Sequence, residues 1–267
     1  VPSATKVLPC QWVFAVKTDP DNFVSKWKAR TVLFGNLQRK GIDYVDTFSP
    51  TVRAEQIKLI LAIAAQRMGN LSSSTQFTLV SESSPSSTPS TSQSSVDADS
   101  LRSCMTTGGI LCGGDVTDAY LNSTLAEPVL SQLPQGYVPT TTAPQGYKVV
   151  AENLKAHPGL RQAGRCWYEN HRDRLIERGF VPYPSAPCIF VKSYPDGGWM
   201  ILGNFVDDLL FLNATSNPSA VQELVTDLSQ HYVIKVQTEL TKFLGAEFVS
   251  LPQGIYMHLN QYILSIL

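Results

Sequence analysis

Asp207 and Asp208 stand side by side in WMILGNFVDDLLFLN (199–213), between two runs of apolar, strand-forming residues. Leaving a carboxylate unpartnered in such surroundings costs several kcal/mol. Two arrangements relieve that cost. The pair can mark a solvent-exposed hairpin turn, where Asp is a common residue. It can also bind a divalent cation, and oxygen-only donors suit Mg2+, which takes one or two carboxylates together with waters and substrate phosphates. Asp115 opens DVTDAYL (115–121), a second β-branched and apolar stretch that reads as a strand end leading into a turn. If that strand lies beside the 199–213 hairpin, three carboxylates share one place. Carboxylates around two cations are the chemistry of phosphoryl transfer: one cation lowers the pKa of an attacking hydroxyl and the other stabilises the leaving oxygen.

Such residues need elements to position them. QWVFAVK (11–17) and FVSKWKARTVLF (23–34) read as two strands of a hairpin, joined by the turn residues DPDN at 19–22. Residues 53–68 place Ile57, Ile60, Leu61 and Ala64 at helical spacing, and Gly69-Asn70 ends that helix. Residues 165–179 form a second amphipathic helix, with Trp167, Tyr168, His171, Leu175 and Ile176 on or near one face. Strands follow at 187–193, 199–206 and 209–213. Ser219 with Gln222 resembles a capping box that opens a helix over Ala220–His231. Short strands at 232–237, 243–250 and 255–259 complete the set, with Pro252-Gln253-Gly254 as a turn. Interleaved strands and helices with several hairpins give the α+β class. Between Ser72 and Ser100 the chain is dominated by Ser, Thr and Pro, which cannot bury enough surface to offset ordering entropy. That predicts a disordered insertion over 71–112.

The bulk composition sets limits on function. The chain has 267 residues, 43% hydrophobic and 16% charged, which is ordinary for a globular protein with a sizeable core. Its formal net charge of −1 announces no polyanionic partner. Residues 1–70, however, hold ten Lys and Arg against five acids. That basic stretch suits either a phosphate backbone or a solvated surface. Five scattered cysteines without a CxxC pair argue against a disulfide framework or a zinc site and for a reducing compartment. The four histidines lack metal-ligand spacing. The apolar helix Ile57–Ala65 is interrupted by Lys58 and too short to span a bilayer, so no membrane partner is expected. A first residue other than Met leads us to expect a fragment of a longer protein.

FVDD resembles the [YF]-x-D-D box of reverse transcriptases, and four further stretches carry the likeness in order. They are SKWKARTVLFGNLQRKGIDYVDTFSPTVR (25–53), DVTDAYLN (115–122), PGLRQAGRCWYE (158–169) and KFLGAEF (242–248). Together they make the chain similar to copia-type LTR retrotransposon reverse transcriptases, the RNA-dependent DNA polymerase domain of the Pol polyprotein. The resemblance implies the fingers and palm of a polymerase right hand, the palm a ferredoxin-like antiparallel sheet backed by helices, with the thumb largely absent. It divides the chain into a fingers-like basic hairpin and helix (1–70), the insertion (71–112), the palm (113–240), and a primer-grip-like hairpin with the start of a thumb (241–267).

The same resemblance implies roles. Asp115, Asp207 and Asp208 would be the catalytic, metal-binding triad, with the Val116 carbonyl as an extra ligand for two Mg2+ ions, or Mn2+ in their place. Lys28 and Arg30 would contact the triphosphate of the incoming nucleotide. Tyr120 would lie under its sugar or, equally, be a core aromatic. Arg161 and Gln162 would line the nucleotide and template, and Phe243, Leu244 and Gly245 would grip the primer. The implied partners are an RNA or DNA template with its primer, deoxynucleoside triphosphates, and the RNase H and integrase segments of Pol. The implied setting is intracellular: cytoplasm, virus-like particle or nucleus. Pro158 stands where the family has Tyr, Gly164 where it has Pro, and Phe205 where Tyr is usual. These departures leave two readings open, a working polymerase and an inactive relic of the same fold.

Overall fold

The computed structural model describes residues 1–2, 4–18, 23–69, 110–237, 239–251, 254–264 and 266. The turn expected at 19–22, the 71–109 part of the expected insertion and Pro252-Gln253 lie outside the described residues. The chain forms two compact units and passes through each twice. The first unit is Val1–Pro50 with Thr117–Arg178, and the second is Thr51–Val116 with Gly179–Leu267.

In the first unit, strands β1 (Cys10–Thr18) and β2 (Val24–Leu33) pair antiparallel, as the sequence predicts. Their register sorts the side chains onto two faces. Trp12, Phe14 and Val16 lie opposite Thr31, Ala29 and Trp27, while Val13, Ala15 and Lys17 lie opposite Arg30, Lys28 and Lys26. One face is therefore aromatic and the other cationic. Two strands that sequence reasoning missed, β4 (Thr124–Ser131) and β5 (Ala151–Lys155), form a second antiparallel pair with an irregular register. The helix α2 (Ala163–Glu177; α1 belongs to the second unit) buries Trp167, Tyr168, His171 and Leu175. Ile176, expected on that face, is exposed. His171 stacks on Trp167, and burial pushes its imidazole down to about 3, so it is a neutral core residue. Leu8, Leu33, Leu125, Ala156, Leu160 and Ala163 form this unit's core cluster.

The second unit is built on a six-stranded sheet in the order β10-β3-β9-β8-β7-β6, in which every neighbouring pair is antiparallel. Its strands are β3 (Ile110–Val116), β6 (Val181–Tyr183), β7 (Ala186–Ser193), β8 (Trp199–Phe205), β9 (Asp208–Asn213) and β10 (Ile234–Gln237). β3 begins inside the range expected to be insertion and ends at Val116, and the turn expected to follow it is the 3-10 turn Ala119–Asn122. Gly113 and Gly114 lie within β3, and a Cβ on Gly114 would press on the Phe211 ring, so these glycines serve packing.

Helix α1 (Ala54–Gly69) packs Ile57, Ile60, Leu61 and Ala64 into one cluster with Leu210 and Leu212 of β9. Leu209 and Phe211 alternate to the opposite side of β9 and are also fully buried, so this strand is covered on both faces. Helix α3 (Ala220–Leu228) runs along β9 and β10 and buries Val221, Leu224, Val225 and Leu228. The expected capping box does not form, because Ser219 makes no side-chain cap. Asn217 takes that place: its Oδ1 accepts from the Ser219 N–H at 2.9 Å and its Nδ2 donates to Glu223 at 3.0 Å. A three-stranded sheet of β11 (Lys242–Phe243), β12 (Ala246–Leu251) and β13 (Gly254–His258), with the short α4 (Asn260–Leu264), completes the unit. The architecture is mixed α and β, and no helix among the described residues is long and apolar enough to cross a membrane.

Candidate active site

The carboxylates sit where β8, β9 and β3 come together. β8 and β9 pair from Met200↔Asn213 to Phe205↔Asp208, so Val206 and Asp207 alone make the hairpin turn. On its other edge β9 pairs with β3, and there Asp208 lies directly opposite Asp115. Directly opposed residues have Cβ atoms about 4.5–5.5 Å apart and point to one face. The Val116 N–H donates to the Asp207 carbonyl at 2.7 Å, which ties the turn to the end of β3. The sequence therefore places the three carboxylates together through two adjoining ladders. One is inserted in the middle of the sheet and one closes a two-residue turn.

That turn is strained. Val206 adopts φ 57°, in the left-handed region. A β-branched residue is a genuine outlier there and costs about 1–2 kcal/mol relative to an extended backbone. Glycine is the residue that tolerates a positive φ at the first position of such a turn. The strain is a feature that the apolar pattern of the segment does not reveal.

The electrostatics are those of crowded like charges. Burial first, then Asp207, then Asp115 push the Asp208 carboxyl up to about 6. Asp115 is exposed and Asp207 and Asp208 are half-buried, so the cluster opens to solvent. Among the described residues, no three His, Cys, Asp or Glu side chains converge closely enough to enclose a metal ion. In kind, however, three carboxylates and a backbone carbonyl are hard oxygen donors of the sort Mg2+ takes. A divalent cation would relieve the repulsion from Asp207 and Asp115 that adds to burial in lifting Asp208.

The remaining expected residues divide between the two units. In the first unit, Lys28 and Arg30 share the cationic face of the β1–β2 hairpin. Burial first, then Arg30 and Lys17, lower the Lys28 ammonium from its ordinary value, with Asp118 opposing. Lys17 and Lys26 are directly opposed like charges, an arrangement that destabilises a hairpin unless an anion lies over it. Arg161 is exposed, and its Nε donates to the Gly35 carbonyl at 3.2 Å. Gln162 opens α2 without capping it. Tyr120 is half-buried against the Leu8, Leu33 and Leu125 cluster. In the second unit, Phe243 is buried in the core cluster with α1. Leu244 and Gly245, at φ 49° and 82°, form the two-residue turn between β11 and β12.

One residue joins this set that sequence reasoning did not single out. Gln38, buried at 7% exposure, bonds to both Arg161 and Gln162. The only sequence signal for it is its place inside the 25–53 stretch.

Known proteins resemble most of this chain. The family description "Reverse transcriptase (RNA-dependent DNA polymerase)" matches residues 1–72 and 105–267, leaving 73–104 unmatched. The chain is 29% identical over 266 residues to the retrovirus-related Pol polyprotein from transposon RE1 of Arabidopsis thaliana, covering 100% of this chain and 15% of that protein. It is 26% identical over 249 residues to the retrovirus-related Pol polyprotein from transposon TNT 1-94 of Nicotiana tabacum, covering 93% of this chain and 15% of that protein. Over 150 residues it is 30% identical to the putative transposon Ty5-1 protein YCL074W of Saccharomyces cerevisiae, covering 56% of this chain and 46% of that one. The chain thus spans about 15% of the length of the two plant polyproteins.

Proposed function

The chain belongs to the reverse transcriptase (RNA-dependent DNA polymerase) family, and on that premise we propose that it is the polymerase domain of a copia-type retrotransposon Pol polyprotein, extending a primer 3′-hydroxyl with deoxynucleotides on an RNA template. The observation that carries this reading is Asp115 directly opposite Asp208, with Asp207 in the adjoining turn. These three carboxylates and the Val116 carbonyl would hold two Mg2+ ions, with Mn2+ as a substitute. Bound there, the cations would supply hydroxyl activation and neutralisation of developing charge on phosphate.

This chain's own residues do the rest. Lys28 and Arg30 bind the triphosphate, and a polyanion over their face offsets both causes that lower the Lys28 ammonium, burial first and then repulsion from Arg30 and Lys17. Tyr120 carries the sugar, while Arg161 and Gln162 orient the nucleotide against the template. Phe243, Leu244 and Gly245 hold the primer strand, in a hairpin anchored by the buried Phe243 ring. In this reading the cationic hairpin belongs to the fingers, and the six-stranded sheet with its helices is the palm. The RNase H and integrase segments of a Pol polyprotein are its covalent partners. Its setting is the cytoplasm, a virus-like particle or the nucleus.

Primer extension on an RNA template with Mg2+ and deoxynucleoside triphosphates tests the proposal. Extension by the wild-type chain, abolished by Asp207→Asn with the fold intact by circular dichroism, is the expected result. A well-folded wild-type chain that extends no primer, with either Mg2+ or Mn2+, overturns it.

A further inference from the structure

We propose that Gln38 is a positioning residue for the nucleotide site, whose buried carboxamide sets the Arg161 backbone and the orientation of the Gln162 carboxamide; this rests on the nucleotide role proposed above for Arg161 and Gln162.

Two chain segments cross closely in the first unit. The Leu33 N–H donates to the Pro158 carbonyl at 2.9 Å. A Cβ on Gly159, whose φ is 94°, would collide with the Leu33 carbonyl oxygen, and a Cβ on Gly35 would collide with the Gly159 carbonyl oxygen. The end of β2 and the 158–162 segment therefore meet backbone to backbone at a distance only glycine permits. On the flank of that crossing, Thr31 Oγ1 and His157 Nε2 are 3.0 Å apart. β2 is also the strand that carries Lys28 and Arg30, so the crossing physically joins the two groups of nucleotide residues.

Gln38 completes the crossing with both ends of its amide. Its Oε1 accepts from the Arg161 N–H at 2.9 Å, and its Nε2 donates to Gln162 Oε1 at 3.0 Å. A carboxamide at 7% exposure that uses its acceptor and its donor on two successive residues is fixed in one orientation. It dictates the orientation of its partner too. Gln162 Oε1 faces Gln38, so the group Gln162 offers to a ligand is its NH2, a pair of donors that suits an acceptor atom. Gln162 opens α2 but its side chain caps nothing there, consistent with its being held by Gln38 instead. Arg161, tied at its N–H to Gln38 and at Nε to the Gly35 carbonyl, has its guanidinium aimed from a fixed base.

Gln38→Glu separates positioning from packing. A carboxylate still accepts from the Arg161 N–H, but it cannot donate to Gln162 Oε1. Gln162 then turns its NH2 towards position 38 and presents its carbonyl to the ligand, an acceptor where a donor is needed. The experiment measures affinity for a fluorescent deoxynucleoside triphosphate with Mg2+, in the full chain, for wild type, Gln38→Glu, Gln162→Leu and the double variant. Amide exchange of Arg161 is read in parallel. We expect about tenfold weaker binding for Gln38→Glu, the loss of roughly one ligand hydrogen bond. Arg161 protection should be retained, and Gln38→Glu should cause no further loss in the Gln162→Leu background. Wild-type binding that Gln38→Glu leaves unchanged overturns the positioning role, as does a full additional loss in the double variant. A wild-type chain that binds no nucleotide while its Arg161 amide is protected overturns the nucleotide reading itself.

Discussion

Burial and the charges of Asp207 and Asp115 push the Asp208 carboxyl up to about 6, against about 4 for an unfolded chain. Between these values the folded protein holds a proton that the unfolded chain has released. Stability contributed by this group is therefore present below the unfolded pKa, is lost as pH rises through the folded pKa, and its cost is fully present above it. Asp208 is half-exposed, so solvent screening reduces that cost to roughly 1 kcal/mol. Asp208→Asn should raise the Tm at about pH 7.5 and leave it nearly unchanged at about pH 3, where the wild-type carboxyl is largely protonated in both states. Calorimetry at the two pH values checks this. Equal shifts at both would assign the effect to packing rather than charge. Mg2+ offers the same relief by another route, so it should raise the wild-type Tm at the higher pH more than that of Asp208→Asn.

At the scale of elements, the crossing between the end of β2 and residues 158–162 is the least forgiving part of the first unit. Gly159→Ala places a Cβ against the Leu33 carbonyl at a φ of 94°, and backbone cannot yield as a side-chain tip can. We expect about 2–4 kcal/mol of destabilisation, from overpacking plus a strained positive φ. Urea unfolding measures it; a change under about 0.5 kcal/mol, the usual surface value, would show that the segments can part. Such a crossing was illegible in the sequence for a physical reason. Gln38 lies in GNLQRKG, a stretch polar enough to read as a surface loop, and its burial depends on a partner 123 residues away. β4 and β5 were hidden by Pro128, by the charge of Glu127 and by a register shift that breaks alternation. What could be read was local. α1 announces itself by periodicity, β1 and β2 by strand-forming residues around a turn, β8 and β9 as apolar runs, and Asp207 and Asp208 by interrupting those runs. Asp115 was legible as a strand residue, but its placement opposite Asp208 needed the ladder between β3 and β9.

For the molecule as a whole, both units are assembled from two stretches of chain, and α1 and β3 both belong to the second unit. The family match stops at 72 and resumes at 105, so 73–104 is extra chain between two elements that the family shares. Each doubling of a flexible connection costs about 0.6 kcal/mol of closure entropy. Deleting 73–104 shortens the connection between Gly69 and Ile110 about fivefold, from which a gain of roughly 1 kcal/mol follows if the removed residues make no stabilising contacts. The expected outcome is a slightly higher Tm, an unchanged circular dichroism spectrum and primer extension at the wild-type rate. The insertion would then be neutral to the proposed activity and mildly costly to the fold. A lower Tm with loss of strand signal would mean that residues 73–104 contribute packing to the second unit. Retained stability with altered extension would assign them a part in handling template or primer, and only the thermodynamic half of the expectation would stand.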